Sequence, residues 1–195
     1  EKEKVRSTKP TGQLLKNGAQ VFGYSLPLNQ ETILYNQLKL IKNKNYFDNE
    51  LTSFEENILD EKTLKNKIST IQPDFVFHFA AQSLVRKGYE QPIKTWQTNL
   101  IGSINLLEAL REVEDKCNVL MITTDKVYKN REWIYGYREC DELGGNDPYS
   151  ASKAAMEIAV SSWRKSFGHN LPNVNIAVAR AGNVIGGGDW SEDRI

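Results

Sequence analysis

Cysteine and histidine are scarce: Cys117, Cys140, His78 and His169 are the only ones among 195 residues. Two cysteines far apart, outside any C-x-x-C spacing, give neither a disulfide framework nor a zinc site. Two histidines do not make a His-rich metal centre, so no metal is expected, and a reducing, cytoplasmic setting is the natural reading. Net charge is lacking too. The 25 Lys and Arg balance the 25 Asp and Glu, which leaves no global field to attract nucleic acid or an anionic membrane. No apolar run reaches transmembrane length, and Glu1 to Lys4 is too charged to begin a secretory signal. Glycine is thin at the start: Gly12 stands alone in the first 17 residues.

What is present alternates between strand-like and helix-like patterns. A short helical piece at 13–17 leads to a strand-like run at 20–24. Residues 29–50, rich in Lys, Asn and Gln, read as a surface segment with one helix. An amphipathic helix is expected at 60–71, with Leu64, Ile68 and Ile71 on one face. From Pro73 the signals sharpen. DFVFHFAA is a continuous apolar run that suits a strand buried on both faces. A helix over 92–111 would turn Ile93, Trp96, Leu100, Ile104 and Leu107 inward. NVLMIT (118–123) and VNIAVAR (174–180) read as further strands. Asp147 as N-cap and Pro148 in the first turn open a helix that runs to Phe167 and stops at Gly168. Met156, Ala159, Val160, Trp163 and Phe167 share one of its faces. The expectation is an α/β fold, a Rossmann-like parallel sheet with flanking helices that binds ligands beyond the strand carboxyl ends.

Two strand ends deliver polar residues: Thr124, Asp125 and Lys126 after NVLMIT, and AGNVIGGGDW after VNIAVAR. Between them, Tyr149 and Lys153 lie on adjacent turns of one helix face. An ammonium one turn from a phenol stabilises tyrosinate, so that the tyrosine acts as a base toward a sugar hydroxyl near neutral pH. Tyr-x-x-x-Lys alone is common by chance as a surface Tyr on a Lys stem; its place after a strand ending in Thr-Thr-Asp gives it weight.

The segments HFAAQSLVRKGYEQPIKTWQTNLIGSINLLEALR, TTDKVYKNREWIYGYRECDELGGNDPYSASKAAME and ARAGNVIGGGDWSEDR together resemble the extended short-chain dehydrogenase/reductases. Within these, TTDK followed by NREW-x-x-GYRE is most similar to the CDP-glucose 4,6-dehydratases, whose relatives usually carry Glu in place of Lys126 and lack the NREW segment. The resemblance covers nearly all of residues 13–195. It implies an NAD-dependent lyase that turns a nucleotide-sugar substrate into a 4-keto-6-deoxy sugar. By the same resemblance, Tyr149 takes the 4-hydroxyl proton, Lys153 holds the ribose hydroxyls and tunes Tyr149, and Thr124 bonds the sugar oxygen. Asp125 is implied as the acid for the departing C6 hydroxyl, which requires a desolvated carboxyl. Lys126 is either a neutral C5 base or an electrostatic support for the enolate, with Tyr149 then handling both protons. Ala80, Ala81 and Gln82 are implied to line the NAD path, the bland reading being tight helix–strand packing. Asn57 corresponds to an adenine-contacting Asp, and Asn99 to the helix Asn that supports the centre. Asn183, Gly187 (within Gly186 to Gly188) and Arg194 are implied for the substrate diphosphate. His78 reads as a core or supporting histidine; Trp133, Tyr135 and Tyr137 either line a sugar or base pocket or pack as aromatic core.

The pattern also departs from the family. VRSTKPTGQLL stands where a strand and Thr-Gly-x-x-Gly-x-x-Gly are expected, and Gly88 where relatives often have Ser. The sheet is therefore expected to lack its first, central strand, and the isolated chain to bind NAD weakly or not at all. The expected organisation is one partial NAD-binding domain over 1–195, with most of a C-terminal substrate domain absent. A homodimer or homotetramer, through the helices near 92–111 and 149–167, is expected of the full-length enzyme. Two alternatives stay open: another nucleotide-sugar dehydratase or 4-epimerase on the same scaffold, and a non-catalytic remnant.

Overall fold

A computed structural model describes residues 11–27 and 51–184. The expected surface segment at 29–50 lies outside the described residues. The chain divides into two units, residues 1–57 with 184–195 and residues 58–183. In the first, a helical turn at 11–16 buries Leu15 and leads into β1 (Val21–Ser25). β1 pairs in parallel with β2 (Leu51–Glu55), Val21 opposite Leu51, and Phe22 stacks on Phe54 across the pair with ring centroids 6.4 Å apart.

The second unit begins with α1 (Glu61–Ile71), capped where Asp60 Oδ1 accepts from Thr63 N at 3.0 Å. Leu64 and Ile68 are its buried residues, as the spacing predicts. β3 (Phe75–His78), β4 (Cys117–Thr124) and β5 (Val174–Ala181) form a parallel sheet in that order. Phe75 pairs with Asn118, and Cys117 with Val174. α2 (Val85–Glu90), α3 (Pro92–Trp96), a π-helical turn at Gln97–Ile101 and α4 (Gly102–Ala109) connect β3 to β4. α5 (Pro148–Phe167) precedes β5 and buries Met156, Val160 and Trp163. Strands alternating with helices and pairing only in parallel make a Rossmann-like α/β fold. The five described strands lie in two sheets, β1 with β2 and β3 with β4 and β5.

Two expectations about burial are corrected. DFVFHFAA is not buried on both faces: Phe75 is 62% and Phe77 40% exposed. β3 is an edge of its sheet, paired with β4 alone, and this face has no cover among the described residues. The inner stripe of the 92–111 helix is also different. Ile93, Trp96 and Ile104 face outward, while Thr95, Asn99, Ser103, Leu106 and Leu107 are buried. Thr95, Asn99, Ser103 and Leu106 keep ordinary helical spacing through the π turn, and the inner face is polar because Asn99 and Ser103 serve a hydrogen-bond network. Among the described residues, no helix is long and apolar enough to cross a membrane.

Candidate active site

The first turn of α5 is fixed by a reciprocal capping box. Asp147 Oδ1 accepts from Tyr149 N at 2.9 Å and from Ser150 N at 3.1 Å, while Ser150 Oγ accepts from Asp147 N at 3.3 Å. That cap orients the helix start on which Tyr149 stands. Tyr149 and Lys153 are both buried, and Lys153 Nζ donates to Ile122 O of β4 at 3.1 Å. α5 is thus tied to the strand two residues before Thr124. Gly88 of α2 lies against the same turn, where a Cβ would make ordinary van der Waals contact, 3.4 Å from Tyr149 N.

At the end of β4, Thr124 is buried and opens a 3-10 turn, Asp125–Val127. Thr124 Oγ1 donates to Asp125 Oδ1 at 3.0 Å and accepts from Lys126 N at 3.4 Å. Asp125 and Lys126 are exposed. The chain leaving β5 passes alongside: a Cβ on Gly182 would lie 3.7 Å from Asp125 Oδ2. Thr124, Asp125, Lys126, Tyr149 and Lys153 therefore belong to one sheet end.

Behind them lies a buried polar network. Asn99, in the π turn, accepts from Gln82 N at Oδ1 (2.6 Å) and donates from Nδ2 to Gln82 O (3.0 Å) and Ser152 Oγ (2.9 Å). Ser152 Oγ in turn donates to Tyr149 O at 2.8 Å. Gln82 Nε2 bonds Leu84 O and Thr95 Oγ1, both at 3.0 Å, so the Ala80–Gln82 segment after β3 is held in a fixed loop. Asn99 thus braces that segment against α5. His78 Nε2 meets Ser103 Oγ at 2.8 Å, and Ser103 Oγ donates to Asn99 O at 2.6 Å, which assigns the ring Nε2–H as donor. Complete burial, and secondarily the charge of Lys153, push the His78 pKa down to about 3. His78 is a neutral support, as the sequence suggested.

Three residues of this region escaped sequence reasoning: Thr123, Glu157 and Arg180. Glu157 and Arg180 form an ion pair with side-chain exposures of 7% and 17%, and Thr123 Oγ1 donates to Glu157 at 2.6 Å. The available signal was a carboxylate four residues after Lys153 on the buried helix face, and an arginine ending an otherwise apolar strand.

The remaining predicted positions are less gathered. Asn183 is exposed just after β5, and Gly187 and Arg194 lie outside the described residues. Asn57 belongs to the first unit, where its carbonyl accepts from Tyr24 Oη at 3.2 Å. Tyr137 stacks on Tyr128 with centroids 5.0 Å apart and tilts against Trp133 at 5.5 Å. Trp133 is 44% and Tyr135 74% exposed, so these rings are not core.

The fold is of the Rossmann-like α/β type, shared with solved structures of nucleotide-sugar enzymes. A dTDP-glucose 4,6-dehydratase from Streptomyces venezuelae, crystallised with NAD and DAU, superposes with a TM-score of 0.69 at 21% identity, over 86% of this chain and 50% of that one. The family model described as GDP-mannose 4,6 dehydratase matches residues 11–181, and the chain belongs to that family. It is 43% identical over 186 residues to a CDP-glucose 4,6-dehydratase of Salmonella typhimurium, covering 93% of this chain and 50% of the relative. A UDP-glucose 4-epimerase of Mycoplasma pneumoniae is 33% identical over 67% of this chain and 38% of its own length. The chain thus spans about half the length, or less, of these relatives.

Proposed function

We propose that this chain carries the catalytic centre of an NAD-dependent nucleotide-sugar 4,6-dehydratase whose substrate is CDP-glucose. The observation that supports it most is the bond from Lys153 Nζ to Ile122 O. It sets the buried Tyr149–Lys153 pair against the strand that ends in Thr124, Asp125 and Lys126. The Salmonella relative supports the choice of CDP-glucose.

The residues present fit the nicotinamide side of NAD: a buried cation beside a buried phenol on α5, and the small Ala80 and Ala81 beyond β3. NAD, when bound, supplies the acceptor and later the donor of one hydride. The protein's own groups handle protons and orientation. Lys153 favours the tyrosinate form of Tyr149, which removes the sugar 4-hydroxyl proton. Thr124, fixed by its bonds to the following turn, offers its hydroxyl to the sugar oxygen. A ketone at C4 acidifies the C5 proton, and Asp125 protonates the C6 hydroxyl as it leaves as water. The exposed carboxyl of Asp125 acquires the desolvated setting this role needs when substrate covers it. Lys126 supports the enolate electrostatically, and Tyr149, once it has released the 4-hydroxyl proton to solvent, takes the C5 proton as well. In Lys126→Met, solvent deuterium exchange at C5 should persist; its loss would make Lys126 the base.

Self-association into a homodimer is part of this reading. Ile93, Ile101, Ile104 and Ile158, on the 92–111 and α5 helices, are exposed apolar residues. Assaying CDP-, dTDP- and UDP-glucose side by side with NAD tests the substrate choice. Preference for either of the latter two would overturn it.

A further inference from the structure

We propose that the Glu157–Arg180 ion pair is a positioning device. It locks α5, the end of β4 and the loop that follows Lys126 into one geometry. The catalytic part of this proposal rests on the dehydratase reading; the structural part does not.

Register places Arg180 of β5 opposite Thr123 of β4. Its guanidinium grips Glu157 through Nη2–Oε2 at 2.6 Å, Nε–Oε1 at 3.0 Å and Nε–Oε2 at 3.1 Å. Thr123 Oγ1 donates to the same carboxylate at 2.6 Å, so the residue before Thr124 is tied to the helix one turn beyond Lys153. The rest of the guanidinium reaches the loop: Nη1 donates to Glu139 O at 3.2 Å, and Cζ lies 4.6 Å from the Tyr128 ring centroid. Tyr128 stacks on Tyr137, whose hydroxyl accepts from Arg131 N at 2.7 Å. The loop closes where Lys129 N donates to Glu142 O at 2.9 Å and Gly144 N to Val127 O at 2.7 Å. One side chain therefore joins every element that presents the candidate catalytic residues.

The planar fork explains why the position is arginine: a lysine offers a point charge and cannot hold two carboxylate oxygens, a carbonyl and an aromatic face together. A buried pair adds little net stability over apolar residues of similar volume, so its presence points to geometry more than to stability.

Two variants test this: Arg180→Lys, and the apolar double replacement Glu157→Leu with Arg180→Met. Hydrogen exchange on the chain itself requires no turnover. In both variants the amides of Lys129 and Gly144 should exchange roughly tenfold faster or more, while those of α1 stay unchanged. Global unfolding of the double variant should stay near that of the parent. With CDP-glucose, kcat should fall on the order of tenfold or more with KM held within about twofold. Unchanged loop exchange, or acceleration spread evenly over the chain, would overturn the proposal. So would unchanged kcat in a loosened loop. If the parent binds NAD and CDP-glucose yet shows no turnover, the dehydratase reading fails, and the exchange result still decides whether the pair anchors the loop. Should the double variant unfold, Arg180→Lys alone decides.

Discussion

The Asn99 side chain donates to Ser152 Oγ at 2.9 Å, one residue before Lys153 and three after Tyr149. Because Asn99 also holds both main-chain groups of Gln82, a single buried amide joins the loop after β3 to α5. Asn99→Ala takes three bonds away, leaving the part-buried Gln82 main chain without these partners, while Ser152 Oγ keeps its bond to Tyr149 O. It should cost about 3 kcal/mol in chemical denaturation. Ser152→Ala, which strips one bridge and leaves the Gln82 bonds in place, should cost about 1 kcal/mol. Equal losses for the two would contradict the branched network.

His78 makes stability depend on pH. Its folded pKa is depressed from 6.5 to about 3, so folding favours the neutral ring. The contribution is complete above pH 6.5 and is lost as pH falls toward 3, by about 2 kcal/mol at pH 5. Urea midpoints at pH 7 and pH 5 should therefore diverge more in the parent than in His78→Gln. Parallel shifts would show that His78 is not the group responsible.

Gly145 packs on the start of α5 with no room for a side chain. An added Cβ would overlap Ala151 N and lie 2.6 Å from the carbonyl carbon of Ser150. Gly145→Ala must displace either the loop or the turn bearing Tyr149. A loss of about 2 kcal/mol is expected, with a larger proportional fall in turnover than in stability. Gly12→Ala, at a position with open space, is the matching control.

The outward isoleucines predict the assembly state. Ile158→Glu and Ile101→Glu each place a charge on an exposed apolar face and should leave the unfolding midpoint within about 0.5 kcal/mol. Sedimentation should show weakened self-association; an unchanged monomer in both parent and variants would remove the dimer from the account.

Much of this was legible in the sequence, and the exceptions share a cause. Asp147 and Pro148 announced α5 because capping is local chemistry written in adjacent residues. The alternation of strands with helices gave the fold class for the same reason. The inner face of the 92–111 helix differs from its apolar stripe because buried Thr95, Asn99 and Ser103 form hydrogen bonds, and apolar spacing alone does not reveal a buried polar network. Phe75 and Phe77 read as core because an apolar run records what a strand can bury, while its place in the sheet decides what it does bury. Glu157 and Arg180 were overlooked because their meaning depends on a register pairing 57 residues apart in sequence, Thr123 with Arg180. Tyr149 and Lys153 were found because one helical turn separates them.

The most direct test of the central claim joins residues 13–184 of this chain to the remaining half of the Salmonella CDP-glucose 4,6-dehydratase. The hybrid is then incubated with NAD and CDP-glucose. The account predicts accumulation of the 4-keto-6-deoxy product, detected by its alkaline chromophore, and a loss on the order of a hundredfold or more in Tyr149→Phe. A folded hybrid that binds NAD yet forms no such product, or a Tyr149→Phe variant as active as its parent, would contradict it.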